Sequence, residues 1–93
     1  MIKVIIQRVI ADGMESTYDN AVKNTLRAIL EADGYISGAS YKDASNKNHR
    51  IIITNWQNVE AWNNWANSQA RQDVIGSIQP ILEQQEKITV LTA

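Results

Sequence analysis

The 93-residue chain has no cysteine. That excludes disulfide scaffolds, thiolate-ligated zinc or iron–sulfur sites, and thiol nucleophiles. It has a single histidine, His49, so a multi-histidine metal site within one chain is excluded. A Ser-His-Asp triad would have to be built on that one residue. There is no phenylalanine; three tryptophans and three tyrosines supply every large ring, and each brings a polar handle that wants a partner when buried. Neither charge sign is in surplus, with nine Lys and Arg against ten Asp and Glu. Nothing therefore points to nucleic acid or to an anionic membrane as partner. No apolar run approaches the ~20 residues of a membrane span. Met1–Gln7 is too short and too β-branched for a signal peptide, so the expected location is cytoplasmic.

What is present reads as one globular domain over residues 1–93, with 44% hydrophobic residues. Ile2–Ile10 is rich in Ile and Val and predicts a strand, broken by Asp12-Gly13. Asp12 is a candidate cap for the next helix. From Met14 to Ala32 the apolar residues Tyr18, Val22, Leu26, Ile29 and Leu30 recur at helical spacing. Gly34 follows as a candidate C-terminal cap. Tyr35–Lys42 and Arg50–Trp56 predict two further strands, joined through the polar turn Asp43–Asn48. Asn58 is placed to cap a short helix carrying Trp62 and Trp65 on one face. Ser68 is placed to start a second helical segment, made irregular by Gly76 and Pro80. Lys87–Thr92 predicts the last strand. The order β-α-β-β-α-β is that of an α+β, ferredoxin-like split βαβ unit, with an antiparallel four-stranded sheet and helices on one face.

A sheet covered on one face should alternate apolar and polar residues. These strands are apolar on both. Ile2, Val4 and Ile6 share one face of the first strand, and Ile5 and Val9 the other; Ile51 and Ile53 oppose Ile52. Helices within this chain cover only one face. The expected cover for the other is a second copy, giving a homodimer through the sheet face opposite the helices.

The run Trp56-Gln57-Asn58-Val59-Glu60-Ala61-Trp62-Asn63-Asn64-Trp65-Ala66-Asn67-Ser68, with Trp56 ending a strand and Trp65 nine residues later, resembles the antibiotic biosynthesis monooxygenase family. The resemblance covers the whole chain. It implies a dimeric α/β barrel in which two ferredoxin-like sheets pack face to face. Members of the family include cofactor-free monooxygenases that oxidise phenolic compounds or hydroquinones to quinones. Others degrade haem, and some process small signalling molecules. Haem-degrading members carry an Asn near the end of strand one, a Trp on the second helix and a His ten residues after it. Here those positions hold Gln7, Trp65 and Ile75, and isoleucine cannot ligate iron. The resemblance therefore implies no cofactor and no metal.

Cofactor-free oxygenation draws its electrons from the substrate, a small electron-rich aromatic. The protein must hold the ring between flat walls, stabilise its oxyanion and supply a base. Trp65 is the leading candidate for a wall, and Trp62 for a substrate contact. Gln7 could orient a substrate oxygen if the helices cover its face, which also carries Lys3, Ile5 and Val9. Arg8 would then point the other way, toward the partner copy. Arg71 is a candidate for anion stabilisation. His49, the one side chain whose ordinary pKa lies near neutrality, is the candidate base. Asn55 and Tyr41 are further substrate-binding candidates. Each has a plainer alternative: Trp65 as core, Gln7 as a satisfied amide, and His49 or Arg71 as solvated surface. The competing function is a non-catalytic small-molecule binding or signal-processing protein on the same scaffold, with haem degradation third.

Overall fold

The computed structural model describes residues 1–93. Its elements are β1 (Ile2–Val9), α1 (Glu15–Ile29), β2 (Tyr35–Asp43), β3 (Asn46–Trp56), α2 (Val59–Ala66), α3 (Gln69–Ile75), a 3-10 turn (Gln79–Ile81) and β4 (Lys87–Thr92). The four strands form one antiparallel sheet in the order β2-β3-β1-β4. Each pair of parallel strands is thus split by an antiparallel one, which is the ferredoxin-like arrangement. No helix is long and apolar enough to cross a membrane.

β1 is central because both its neighbours find β-branched partners across the ladder: Ile5 faces Ile53 and Thr89, and Ile6 faces Ile52 and Ile88. α1 buries Tyr18, Ala21, Val22, Thr25 and Ile29, one stripe at helical spacing. Thr25 is tolerated inside because its hydroxyl donates to the Ala21 carbonyl at 3.0 Å. Leu30, expected on that stripe, has rotated out and is 67% exposed. The second helical region is indeed divided. Asn58 caps α2, its side chain accepting from the Ala61 N–H at 2.8 Å, and Ser68 caps α3 by accepting from the Arg71 N–H at 3.1 Å.

Two expected caps are placed differently. Asp12 does not cap α1; Met14 occupies that position without a side-chain cap bond, and the Asp12 carboxylate accepts from the Asn48 amide instead. Gly34 is not at the end of α1, where Leu30 forms the cap; it makes the turn into β2 at φ +82. A Cβ there would lie 2.5 Å from the Ala61 Cβ, so the position also allows α2 to approach closely.

The core lies between the helices and the β1/β3 face that carries Ile2, Val4, Ile6 and Ile52. At one end an aromatic cluster substitutes for the missing phenylalanines. Trp56, wholly buried, meets Tyr35 edge-on at 5.3 Å, Trp62 edge-on at 5.8 Å, and stacks on Trp65 at 6.5 Å. Its indole N–H donates to the Thr54 hydroxyl at 3.0 Å. The polar handle of the most buried ring is therefore satisfied within the sheet itself.

Candidate functional site

The condition on which a substrate role for Gln7 depends is not met. The helices cover the face of Val4, Ile6 and Arg8, and Gln7 lies on the open face. Period two decides this: Arg8 shares parity with the apolar residues that pack best under α1. A buried guanidinium must be paired. Arg8 is only 2% exposed; its Nε donates to Glu86 Oε2 at 2.8 Å, and its Nη1 donates to the Tyr18 hydroxyl at 3.2 Å. Arg71, on α3, donates to the other oxygen of Glu86, also at 2.8 Å. One carboxylate thus holds two guanidiniums. Burial alone would raise the Glu86 carboxyl, but the hydrogen bond from Arg71 and the charge of Arg8 outweigh it and hold it below its ordinary value.

The two arginines line a small, partly enclosed chamber between sheet and helices, of about 20 Å³. Its walls are Trp62, Trp65, Ile6, Ile29, Ile52 and Ile75, with Arg8, Arg71, Thr25 and Thr54 as the polar part. The Arg71 guanidinium also lies 5.9 Å from the Trp62 ring centre. Trp65 separates this chamber from an outer groove of about 280 Å³ between α1 and α2, lined by Ala28, Ala32, Ala61 and Ala70. Beneath α1 a second buried guanidinium, Arg50, lies 5.4 Å from the Tyr18 ring centre and donates to Asp19 at 2.7 Å and to the Lys47 carbonyl at 2.7 Å.

Of the sequence candidates, Trp65, Trp62 and Arg71 come together at this chamber. Gln7, His49, Tyr41 and Asn55 lie on the opposite, open face of the sheet. There His49 Nδ1 meets Asp43 Oδ2 at 2.9 Å, and Nε2 meets Gln7 Oε1 at 3.3 Å. Hydrogen bonds from His49, and from the Ser45 backbone and hydroxyl, hold Asp43 well below the usual carboxylate range. Asn55 accepts from Lys3 at 2.9 Å and donates to Ser37 at 3.0 Å, and Tyr41 is 54% exposed. The same face carries Ile5, Val9, Ile51 and Ile53, all half-buried, and Leu91, which is exposed. No group of three or more His, Asp or Glu side chains converges to hold a metal ion.

Arg8, Glu86 and Tyr18 were missed as site residues. The usable signal for Arg8 was its parity with Val4 and Ile6. Glu86 gave none, since its partner Arg8 lies 78 residues away.

The family model for antibiotic biosynthesis monooxygenase matches residues 1–76. The chain belongs to that family. Solved structures similar to it include one described as antibiotic biosynthesis monooxygenase, with 15% identity, TM-score 0.90, and coverage of 100% of this chain and 98% of that one. A mutant of SnoaB, a cofactor-independent oxygenase from Streptomyces nogalater, is 10% identical with TM-score 0.88 over 99% of this chain and 91% of its own. Rv0793 from Mycobacterium tuberculosis is 15% identical with TM-score 0.87 over 99% and 93%. At such identities the likeness to solved structures concerns the fold. No curated protein matches the chain.

Proposed function

We propose that this antibiotic biosynthesis monooxygenase family member is a cofactor-independent monooxygenase of the cytoplasm, oxidising a small aromatic phenol or hydroquinone with O₂. One observation carries the reading: two guanidiniums, the buried Arg8 and the half-buried Arg71, converge beside an indole-walled chamber. Fixed donors aimed at developing negative charge are the main catalytic resource of such a site. A phenolate held there supplies its own electrons. For a simple phenol, one oxygen atom of O₂ is retained as the second carbonyl of the quinone and the other leaves as water. Trp65 and Trp62 would confine the ring, and Arg71 and Arg8 would hold the phenolate oxygen.

The functional unit in this reading is a homodimer of single 93-residue domains packed through the open sheet face, where half-buried Ile5, Ile51 and Ile53 need a cover. His49, Gln7, Asn55 and Tyr41 would then lie inside the barrel.

The small chamber volume favours a second reading. About 20 Å³ holds at most one water, and Trp62 and Trp65 occupy the space a ring would need. That suits a non-catalytic binding role on the same scaffold. Aerobic incubation of a phenol and quinol panel in ¹⁸O₂, with and without protein, separates the two readings. The oxygenase reading expects protein-dependent oxidation and one ¹⁸O in the quinone formed from a phenol. Equal rates without protein would overturn it.

A further inference from the structure

The small chamber lies next to a second, larger space. On the outside, Glu86 lines a polar cleft of about 340 Å³ with Gln79, Leu82, Gln84 and Gln85. On the inside, Arg8 and Arg71 line the chamber of about 20 Å³. The Arg8–Glu86–Arg71 cluster is thus the partition between them, closed by two ion pairs of 2.8 Å. Its three members come from three parts of the chain: Arg8 from the central strand, Arg71 from α3, and Glu86 from the irregular segment before β4. The two arginines sit on packed elements. Glu86 does not: residues 84–86 belong to no helix or strand and make no backbone–backbone hydrogen bond, the last anchor before them being the Glu83 N–H on the Val9 carbonyl at 2.9 Å. The carboxylate is the member of the cluster that is cheapest to move.

Charge decides what can move it. Withdrawing Glu86 with no replacement leaves the buried Arg8 guanidinium facing the half-buried Arg71 guanidinium without a counter-charge, which is unfavourable. An incoming anion restores the pairing, whereas a neutral ligand of the same shape does not. We propose that Glu86 is a gate and a built-in competitor: its carboxylate occupies Arg8 and Arg71, and it is displaced by the anionic group of a planar aromatic anion, a phenolate or an arenecarboxylate, whose ring lies in the outer cleft of about 340 Å³ and not in the chamber. The proposal rests on the oxygenase reading only for the identity of the site; the gate itself is a property of binding. Displacement exchanges one anion for another on the same two arginines, so no covalent step is involved.

The test uses 2-naphthoate and its neutral isostere 2-naphthamide as probes, with titration calorimetry for affinity and stopped-flow tryptophan fluorescence for rate. All three tryptophans lie in the cluster that borders the chamber. Glu86→Gln is expected to bind 2-naphthoate about tenfold more tightly than the unmodified protein, since a competing closed state has been weakened. Its affinity for 2-naphthamide is expected to stay within about twofold, the amide having no charge to offer the arginines. Gln85→Phe, at an exposed position on the outer cleft, is expected to slow 2-naphthoate association about threefold or more, while Ala70→Phe, which fills the groove on the far side of Trp65, leaves it unchanged. Should Glu86→Gln not fold unaided, the Gln85→Phe and Ala70→Phe pair decides. Equal affinity of Glu86→Gln and the unmodified protein for 2-naphthoate overturns the gate, as does an equal gain for 2-naphthamide. So does slowing by Ala70→Phe with none by Gln85→Phe. Tightened 2-naphthoate binding without oxidation of any phenol keeps the gate and overturns the oxygenase reading. Phenol oxidation with no change in 2-naphthoate binding does the reverse.

Discussion

Trp65→Ala is the perturbation that asks most of this structure. Trp65 is 6% exposed, stacks on Trp56 at 6.5 Å with the rings 30° apart, and forms the wall between the chamber and the outer groove. Truncating a buried Trp to Ala costs about 3–5 kcal/mol, the spread depending on whether the vacated space collapses or fills. The groove of about 280 Å³ on its far side lets water reach that space, which favours the lower end, about 3 kcal/mol. A domain of this size is stable by roughly 5–14 kcal/mol, so the variant should still fold. At about 4–8 °C per kcal/mol, the thermal midpoint should fall by about 12–24 °C. Urea unfolding followed by circular dichroism measures the free energy directly. The vacated space should also accept a ring. Indole at ten times its dissociation constant should restore about 1.4 kcal/mol to the variant and almost nothing to the parent. A loss under about 1 kcal/mol would show that Trp65 is not packed as described. Equal stabilisation of variant and parent by indole would show that no chamber borders it.

Gly34→Ala should destabilise by about 1–3 kcal/mol, because φ +82 strains any side chain and the new Cβ would meet the Ala61 Cβ at 2.5 Å; thermal unfolding checks this. Acid should weaken the fold through Glu86. Its carboxyl is held below its ordinary value of 4.5, so its contribution is complete above that pH and is lost as pH falls through the lower folded value. The slope of stability against pH below 4.5 should therefore be shallower in Glu86→Gln than in the parent, as read from thermal midpoints in acid buffers. Ile53→Asp, on the half-buried open face, should leave a folded monomer by sedimentation. Val4→Asp should abolish folding, because Val4 is fully buried under the helices and the new charge would have no partner.

Element order was legible because β-branched runs, Asn58, Ser68 and the tryptophan spacing all act locally. Which face of the sheet the helices cover was not. Ile5 and Ile6, or Ile51 and Ile52, are equally apolar, so hydrophobic alternation gave no preference. The candidate role of Gln7 therefore rested on the condition that the helices cover its face. The structure decides otherwise because Arg8 has partners that local pattern cannot reveal: the Tyr18 hydroxyl ten residues on, and Glu86 across the domain. The same blindness hid Glu86 while leaving Arg71 and Trp65 readable as helix residues. His49 was readable as the lone imidazole, but its position opposite the chamber depends on the register that pairs it with Val9.

The proposed phenol oxidation lies on the helix side of the sheet, at Arg71 and Arg8, and not on the open face at His49. The most direct test compares phenol oxidation by Arg71→Met and His49→Gln at equal protein concentration, each with its fold confirmed by circular dichroism. Arg71→Met should lose about a hundredfold, the usual effect of removing one oxyanion donor, and His49→Gln should keep near-parent rates. Full activity in Arg71→Met with loss in His49→Gln would contradict that placement.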